Sequence, residues 1–142
     1  MPTSAYSTYS LESRQGVSHK MRTAHPDRVP IIVIPKSPQL QLDTNKFLVP
    51  ADITLSKFLL ELRRHIKALS SHSAIYLGLE DGSLPSVMTQ ISLLDAKHRN
   101  VDGFLYLTIC EENTFGGTHC VELPRSSIGR SAPSLLTQWL RA

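Results

Sequence analysis

The stretch that decides the fold is Gly103-Phe-Leu-Tyr-Leu-Thr-Ile-Cys110, which leads into Glu111-Glu112-Asn113-Thr114-Phe115-Gly116-Gly117. Its first part is apolar, β-branched and aromatic and follows the turn signal Asn100-Val-Asp-Gly103, so it predicts a strand. Both faces are apolar, as in a strand from the middle of a sheet. The second part ends in two glycines, which let another backbone approach closely and suit entry into a narrow enzyme cleft. One face of the strand carries Leu105, Leu107 and Ile109, and the other carries Phe104, Tyr106 and Cys110.

The length and composition of the chain are those of a single domain. The chain has 142 residues, 41% of them apolar, which is enough for one core. Residues 1–116 hold 12 Lys/Arg against 11 Asp/Glu, whereas the tail holds 3 against 1. A nearly neutral body lacks the basic surface of a nucleic-acid-binding protein, so we expect no such partner. No apolar run reaches the roughly 20 residues of a membrane span, and the N-terminus has no hydrophobic signal region.

The two cysteines, Cys110 and Cys120, flank the glycine pair. Cys110 belongs to the core-like strand, and we interpret it as a small buried hydrophobe. A reduced cytosolic setting fits this interpretation. A catalytic thiol and a disulfide stay open as alternatives, although nothing in the sequence supports either.

No pattern of catalytic or metal-binding residues is present in the sequence. The six histidines are scattered, and there is no CxxC or HExxH spacing and no Gly-rich phosphate loop. Glu111 and Glu112 fall on opposite sides of an extended chain, which is a poor placement for a general acid/base pair. We therefore predict a substrate of enzymes rather than an enzyme, with no metal and no cofactor.

Three helices are predicted. Ser10 is expected to N-cap the first, in which Gly16 costs roughly 1 kcal/mol. Thr54 is expected to cap the longest helix, and Thr89 a short one. The apolar face of the longest helix follows the i, i+3, i+4, i+7 spacing and consists of Leu55, Phe58, Leu59, Leu62 and Ile66.

Four strands are predicted, at 29–34, 46–50, 74–79 and 103–110. Pro30 and Pro50 cannot donate a ladder hydrogen bond, so each is expected at a strand end or a sheet edge. The order is then β-β-α-β-α-β behind an N-terminal helix. This is the α+β ubiquitin-like β-grasp, with a mixed sheet, a central helix and an N-terminal helical extension. A right-handed crossover brings the last strand beside the first. We divide the chain into a flexible N-terminus (1–9), a ubiquitin-like domain (10–116) and a C-terminal propeptide tail (117–142).

Four segments resemble a known family: Pro26-Asp-Arg-Val-Pro30, Asp43-Thr-Asn-Lys-Phe-Leu-Val-Pro50, Asp102-Gly-Phe-Leu-Tyr106 and Glu112-Asn-Thr-Phe-Gly116. Over roughly residues 11–116 the chain resembles the autophagy ubiquitin-like modifiers, the group that includes GABARAP and the microtubule-associated light chains. The resemblance implies that a cysteine protease cuts the Gly116–Gly117 bond. It also implies that ubiquitin-like activating and conjugating enzymes then pass Gly116 to phosphatidylethanolamine. The implied locations are the cytoplasm and the autophagosomal membrane, and the implied state is monomeric.

The resemblance also implies a site for aromatic-x-x-aliphatic peptides, which add a strand to the sheet edge and fill two pockets. Lys46 would meet the acidic residues that usually flank such peptides. For Ile32, Leu48 and Leu62 an ordinary core role is an equal alternative. The implied aromatic pocket consists of Met21, Pro30, Ile32, Lys46, Leu48 and Phe104, and the implied aliphatic pocket of Phe47, Val49, Pro50, Phe58 and Leu62.

Four residues depart from the family pattern around this site. Val17 replaces an acid of the N-terminal helix, and Thr44 stands where a lysine is common. Glu61 occupies a position that is usually apolar. His65 replaces an arginine and can keep a charged pair with Asp43 only when it is protonated. Whether these changes alter peptide selectivity stays open.

The tail contains prolines, many serines and three arginines, a composition that does not favour joining the core. Only 133–140 is apolar enough for one or two helical turns, which are marginal in isolation. We expect a disposable propeptide, and leave open that the tail touches a membrane or covers the peptide groove. Two other functions also stay open, a modifier joined to protein lysines and an unprocessed β-grasp binding domain.

Overall fold

The computed structural model describes residues 9–36, 40–67, 74–112 and 140–141. None of the helices in these ranges is long and apolar enough to cross a membrane, and no group of three or more potential metal ligands occurs in them. The helices are α1 (Leu11–Ala24), α2 (Leu55–Arg63) and α3 (Ile91–His98). The strands are β1 (Arg28–Pro35), β2 (Gln41–Leu42), β3 (Lys46–Pro50), β4 (Ile66–Lys67), β5 (Ala74–Gly78), β6 (Leu105–Glu112) and β7 (Leu140–Arg141).

The main sheet has the strand order β5-β6-β1-β3-β7. β6 is parallel to β1, with Ile31 opposite Leu105, and antiparallel to β5. β1 is antiparallel to β3. The last strand of the body therefore lies beside the first in the middle of a mixed sheet, as predicted, and β2 and β4 form a separate two-stranded sheet.

The two faces of the sheet carry separate apolar clusters. Alternating side chains of β6 divide between them, because successive residues of a strand point to opposite faces. Leu105 and Leu107 join the larger cluster, which includes Phe58 of α2 and Leu94 of α3. The smaller cluster, on the opposite face, consists of Ile32, Ile34, Phe104 and Tyr106, with Tyr9 and Val17 packed against it.

Polar contacts centred on Asp102 fix α1 over the smaller cluster. Asp102 is fully buried, and Arg14 of α1 donates to its carboxylate at 3.0 Å. Ser18 of α1 donates to its backbone carbonyl oxygen. Tyr106 donates its hydroxyl to the same carboxylate; burial and this bond raise the tyrosine pKa above its ordinary value. One buried carboxylate thus joins α1 to the central strand.

Arg22, further along α1, forms a second anchor. Its guanidinium donates to both carboxylate oxygens of Asp95, at 2.6 and 2.8 Å, and to the carbonyl oxygen of Gly103. Arg99 donates to the same carboxylate. Burial raises the Asp95 pKa, but the hydrogen bonds from the two arginines outweigh it, so the pKa lies below its ordinary value. This ion-paired cluster ties α1 to α3.

The predicted helix starts at Ser10 and Thr54 are confirmed, and each cap accepts a hydrogen bond from the backbone three residues on. Other details differ. α2 ends at Arg63, and Ile66 lies in β4, because pairing with Leu42 of β2 competes with another helical turn. The cap of α3 is Gln90, with no side-chain hydrogen bond, rather than Thr89.

Two further expectations are wrong. Pro30 lies inside β1, which has neighbours on both sides; the strand accommodates it because pairing with β6 begins only at Ile31. Cys110 is buried, as expected, but it is disulfide-bonded rather than a free thiol. The other cysteine, Cys120, lies outside the described residues.

Candidate functional site

The residues of the predicted peptide site converge on β3. Lys46 lies opposite Ile32 of β1, and Leu48 lies opposite Pro30. Since directly opposed residues of antiparallel strands share a face, these four side chains lie on the α1 side of the sheet. Phe47 lies on the other side, in the larger cluster. β3 thus contributes residues to both predicted pockets, one from each face.

The six residues of the predicted aromatic pocket are brought to one face. Phe104 belongs to the smaller cluster with Ile32, and both are fully buried. Met21 of α1 is half-buried and lies one turn from Val17, which packs on the same cluster. The structure therefore joins α1, β1, β3 and the start of β6 at this place.

The residues of the predicted aliphatic pocket are mostly core side chains. Phe47 and Phe58 pack edge to face with ring centroids 5.4 Å apart, and Phe58 and Leu62 are fully buried. Val49 is also buried, whereas Pro50 is half-buried at the end of β3. Ile32, Leu48 and Leu62 are all buried, so each has the core role that was left open for it. A role in peptide binding stays a prediction for all eleven residues.

Lys46 is unusual for a lysine because only 2% of it is exposed. Burial lowers the pKa of its amine from 10.5 to about 8. At neutral pH the amine is still mostly protonated, so it keeps a positive charge at the face where acidic peptide residues would approach. Arg28 was not predicted as a site residue. Its guanidinium donates to the carbonyl oxygen of Leu48 at 3.1 Å.

Three of the residues that depart from the family pattern have defined contacts in the structure. His65 Nδ1 lies 3.0 Å from a carboxylate oxygen of Asp43, as expected, and its Nε2 lies 3.5 Å from Glu61. The His65 ring also packs on Phe47, with centroids 5.6 Å apart. Thr44 accepts a hydrogen bond from the backbone N–H of Lys46 at 3.4 Å. His65 and Thr44 therefore contact residues of β3, and Glu61 contacts His65.

β7 was not predicted, and it lies at this same strand. Leu140 is opposite Phe47 and Arg141 is opposite Leu48, in a parallel pair. Leu140 ends the segment that is apolar enough for one or two helical turns, and it lies in a strand; the rest of that segment lies outside the described residues. A strand of two residues carries no periodicity, so hydrophobic patterning does not reveal it.

The predicted processing site lies beyond the end of β6. This strand ends at Glu112, and Gly116 and Gly117 are outside the described residues. Cleavage at this bond stays a prediction.

The chain matches known proteins over the part that forms the sheet and helices. The family model described as "Autophagy protein Atg8 ubiquitin like" matches residues 13–116. Autophagy-related protein 8 of Dictyostelium discoideum is 40% identical over 110 residues, which is 76% of this chain and 89% of that protein. Autophagy-related protein 8b of Arabidopsis thaliana is 39% identical, over 76% of this chain and 88% of that protein.

Comparison with solved structures also identifies Atg8 proteins. The crystal structure of Trypanosoma brucei ATG8 has a TM-score of 0.70 and 31% identity, and the match covers 82% of this chain and 100% of that one. Plasmodium falciparum Atg8, solved in complex with a Plasmodium falciparum Atg3 peptide, has a TM-score of 0.65 and 28% identity, with 77% and 95% covered. The residues matched by the family model include all four strands of the predicted β-grasp. The chain therefore belongs to the Atg8 family of ubiquitin-like autophagy proteins.

Proposed function

We propose that this protein is a ubiquitin-like modifier that is trimmed to Gly116, conjugated to phosphatidylethanolamine and used on autophagosomal membranes to recruit partners. The observation that carries the proposal is where the family match stops. It ends at residue 116, with 26 residues of the chain still to follow. β6 brings the chain from the middle of the sheet to Glu112, four residues before this point. The family-like part thus ends at a glycine that closely follows a well-anchored strand.

The proposed chemistry consists of a hydrolysis followed by acyl transfer. A cysteine protease hydrolyses the Gly116–Gly117 peptide bond, so water supplies one oxygen of the new carboxylate of Gly116 and the amine of Gly117 leaves with the tail. An activating enzyme joins this carboxylate to the nucleotide of ATP and releases pyrophosphate. An enzyme thiol then displaces AMP to form a thioester, which is passed to the thiol of the conjugating enzyme. The lipid amine then attacks the thioester carbonyl, forming an amide and releasing the enzyme thiol. Glycine suits each step because it has no Cβ to obstruct approach to the carbonyl carbon.

Peptide binding at β3 is the second part of the proposal. Plasmodium falciparum Atg8 was solved with an Atg3 peptide, and we propose that this chain likewise binds a conjugating enzyme and motif-bearing partners through short peptides. The peptide would add a strand beside β3, while Lys46 attracts its acidic residues. Main-chain hydrogen bonds would provide affinity and the two pockets specificity. This role needs no catalytic group, in agreement with the substrate role predicted from the sequence.

Processing is tested by a matched pair of glycine variants. Wild type, Gly116→Ala and Gly117→Ala are incubated with an extract of the native cells, and the products are weighed intact. We expect wild type and Gly117→Ala to end at Gly116, and Gly116→Ala to keep its tail. Because Cys110 is disulfide-bonded, each sample is weighed with and without reductant. A cleaved tail that stays attached through a disulfide is then detected.

The same measurement separates the alternatives. A mass increase equal to phosphatidylethanolamine minus water on the trimmed chain supports the lipid modifier. Attachment of the trimmed chain to other proteins would favour the lysine-directed modifier. A mature chain that ends at Gly117, or that retains residues 117–142 in cells, contradicts the proposed processing site.

A further inference from the structure

The chain's own C-terminus occupies the outer edge of β3. β7 runs parallel to β3, with Leu140 opposite Phe47 and Arg141 opposite Leu48. The other side of β3 is paired with β1, so without β7 the backbone of β3 would form the edge of the main sheet. An open edge strand presents unpaired N–H and C=O groups to any extended chain. β7 therefore lies where a strand-adding peptide would lie.

The sequence around β7 has the spacing of such a peptide. The last four residues are Trp139-Leu140-Arg141-Ala142, an aromatic residue followed three positions later by a small apolar one. The structure describes the middle two of these four, which are the two paired with β3. Backbone pairing and residue spacing thus agree, although they are independent observations.

The side chains at the start of β3 are buried. Lys46, which begins the strand, is 2% exposed in the full-length chain. A lysine this deeply buried is rare unless it is paired. The neighbouring Phe47 and Leu48, which face Leu140 and Arg141 across the parallel pair, are also buried.

We propose that the unprocessed chain docks its own C-terminal segment on β3 in place of a partner peptide, and that cleavage after Gly116 frees this edge. The inference rests on the proposed function, because it takes β3 as the edge at which partners dock. The tail is then a built-in competitor that keeps the precursor from recruiting partners before it is processed.

The covalent connection explains how so short a strand can compete. Docking within one chain is intramolecular, and tethered segments act at effective concentrations on the order of 1 mM. Once the disulfide of Cys110 is also reduced, cleavage makes docking bimolecular, and a two-residue strand then has little to hold it. The apparent affinity of a partner falls by the fraction of chains whose edge is free. If the segment is docked in about nine chains of ten, partners bind about ten-fold more weakly.

The test uses the full-length chain in reducing buffer. The double variant Leu140→Pro/Arg141→Pro removes both backbone N–H groups of β7 and fixes φ at each position. Its matched control, Val121→Pro/Glu122→Pro, makes the same change in the tail outside β7. Amide hydrogen exchange of residues 46–49 is measured for each protein, together with the affinity for an acidic Trp-x-x-Leu peptide.

We expect the double variant to speed exchange in β3 at least five-fold and to bind the peptide three- to ten-fold more tightly, while the control matches wild type. Unchanged exchange in β3 would overturn the inference, as would faster exchange with an unchanged measurable affinity. If no variant binds the peptide, the proposed peptide-docking function fails and with it the competition. The exchange data still decide whether the segment occupies β3.

Discussion

At the scale of single residues, Lys46 combines two properties that rarely occur together. Its position on β3 makes it the cation of the proposed docking edge, yet it is almost fully buried. Burial favours the neutral amine, which is why its pKa is lowered to about 8. The charge that would attract acidic peptides therefore reduces the stability of the fold at neutral pH.

We predict that this cost appears in the pH dependence of unfolding. The folded-state pKa of Lys46, about 8, lies below the unfolded value of 10.5. Between these values the unfolded chain binds more protons, so the free energy of unfolding rises with pH by up to about 1.4 kcal/mol per unit. Urea titrations between about pH 8 and about pH 9.5, below most tyrosine ionisation, should show the rise.

Two methionine variants isolate the contribution of Lys46 to this rise. Lys46→Met keeps the apolar stem and removes the amine, and it should flatten the rise. Lys57→Met removes a lysine on the outer side of α2 and should leave the rise in place. A Lys46→Met variant with the wild-type slope would show that another group causes the dependence.

Among the elements, α1 is held against the ubiquitin-like core by a close approach at Gly103. This glycine has φ of 93°, a conformation that other residues rarely adopt. A Cβ placed there would overlap Ser18 Oγ and lie 2.9 Å from Ser18 Cβ. The carbonyl oxygen of Gly103 also accepts from Arg22. Gly103 is thus the point where α1, the turn before β6 and the ion-paired cluster of Asp95 meet.

Gly103→Ala should therefore destabilise the protein by about 1–3 kcal/mol, because it adds backbone strain and forces α1 away from the sheet. Gly16→Ala is the matched control: Gly16 lies in α1, where an added Cβ would have nothing within 4 Å, and the change should stabilise by about 0.5–1 kcal/mol. Denaturant midpoints of the two variants measure both effects. Equal midpoints for Gly103→Ala and wild type would contradict the close approach.

The elements that could be predicted from sequence are those with a local physical signature. The caps Ser10 and Thr54 and the alternating faces of β6 each follow from residues close together in the chain. The β2–β4 pair and β7 have only two residues per strand, too few for a period. Pro30 was misplaced because tolerance of a missing N–H depends on where pairing with β6 begins, which is a long-range property.

At the scale of the whole molecule, the candidate site also has a part that the sequence predicted and a part that it did not. Family motifs located β3 and its partners, and the structure joins them at one strand. The contact between β7 and β3 joins distant parts of the chain; the Trp139-x-x-Ala142 spacing agrees with it, but a two-residue strand has no periodicity that would predict it. Motifs can place residues in a predicted site, but they do not say what lies against that site in the full-length chain.

Removal of the tail should leave the fold intact. Every buried apolar residue of the described ranges lies between Val29 and Cys110. Apart from the disulfide of Cys110, which reductant opens, the link to the tail among the described residues is the two-residue pair with β3. Loss of one or two exposed-edge hydrogen bonds costs about 1 kcal/mol, which corresponds to a decrease of about 4–8 °C in melting temperature for a domain of roughly this size. A chain ending at Gly116, melted in reductant beside the full-length protein, should thus keep a single cooperative transition within this range.

A chain ending at Gly103 lacks the central strand β6 and should not fold, which provides the contrast. If the chain ending at Gly116 also fails to melt cooperatively, the tail is part of the fold and cannot be a disposable propeptide.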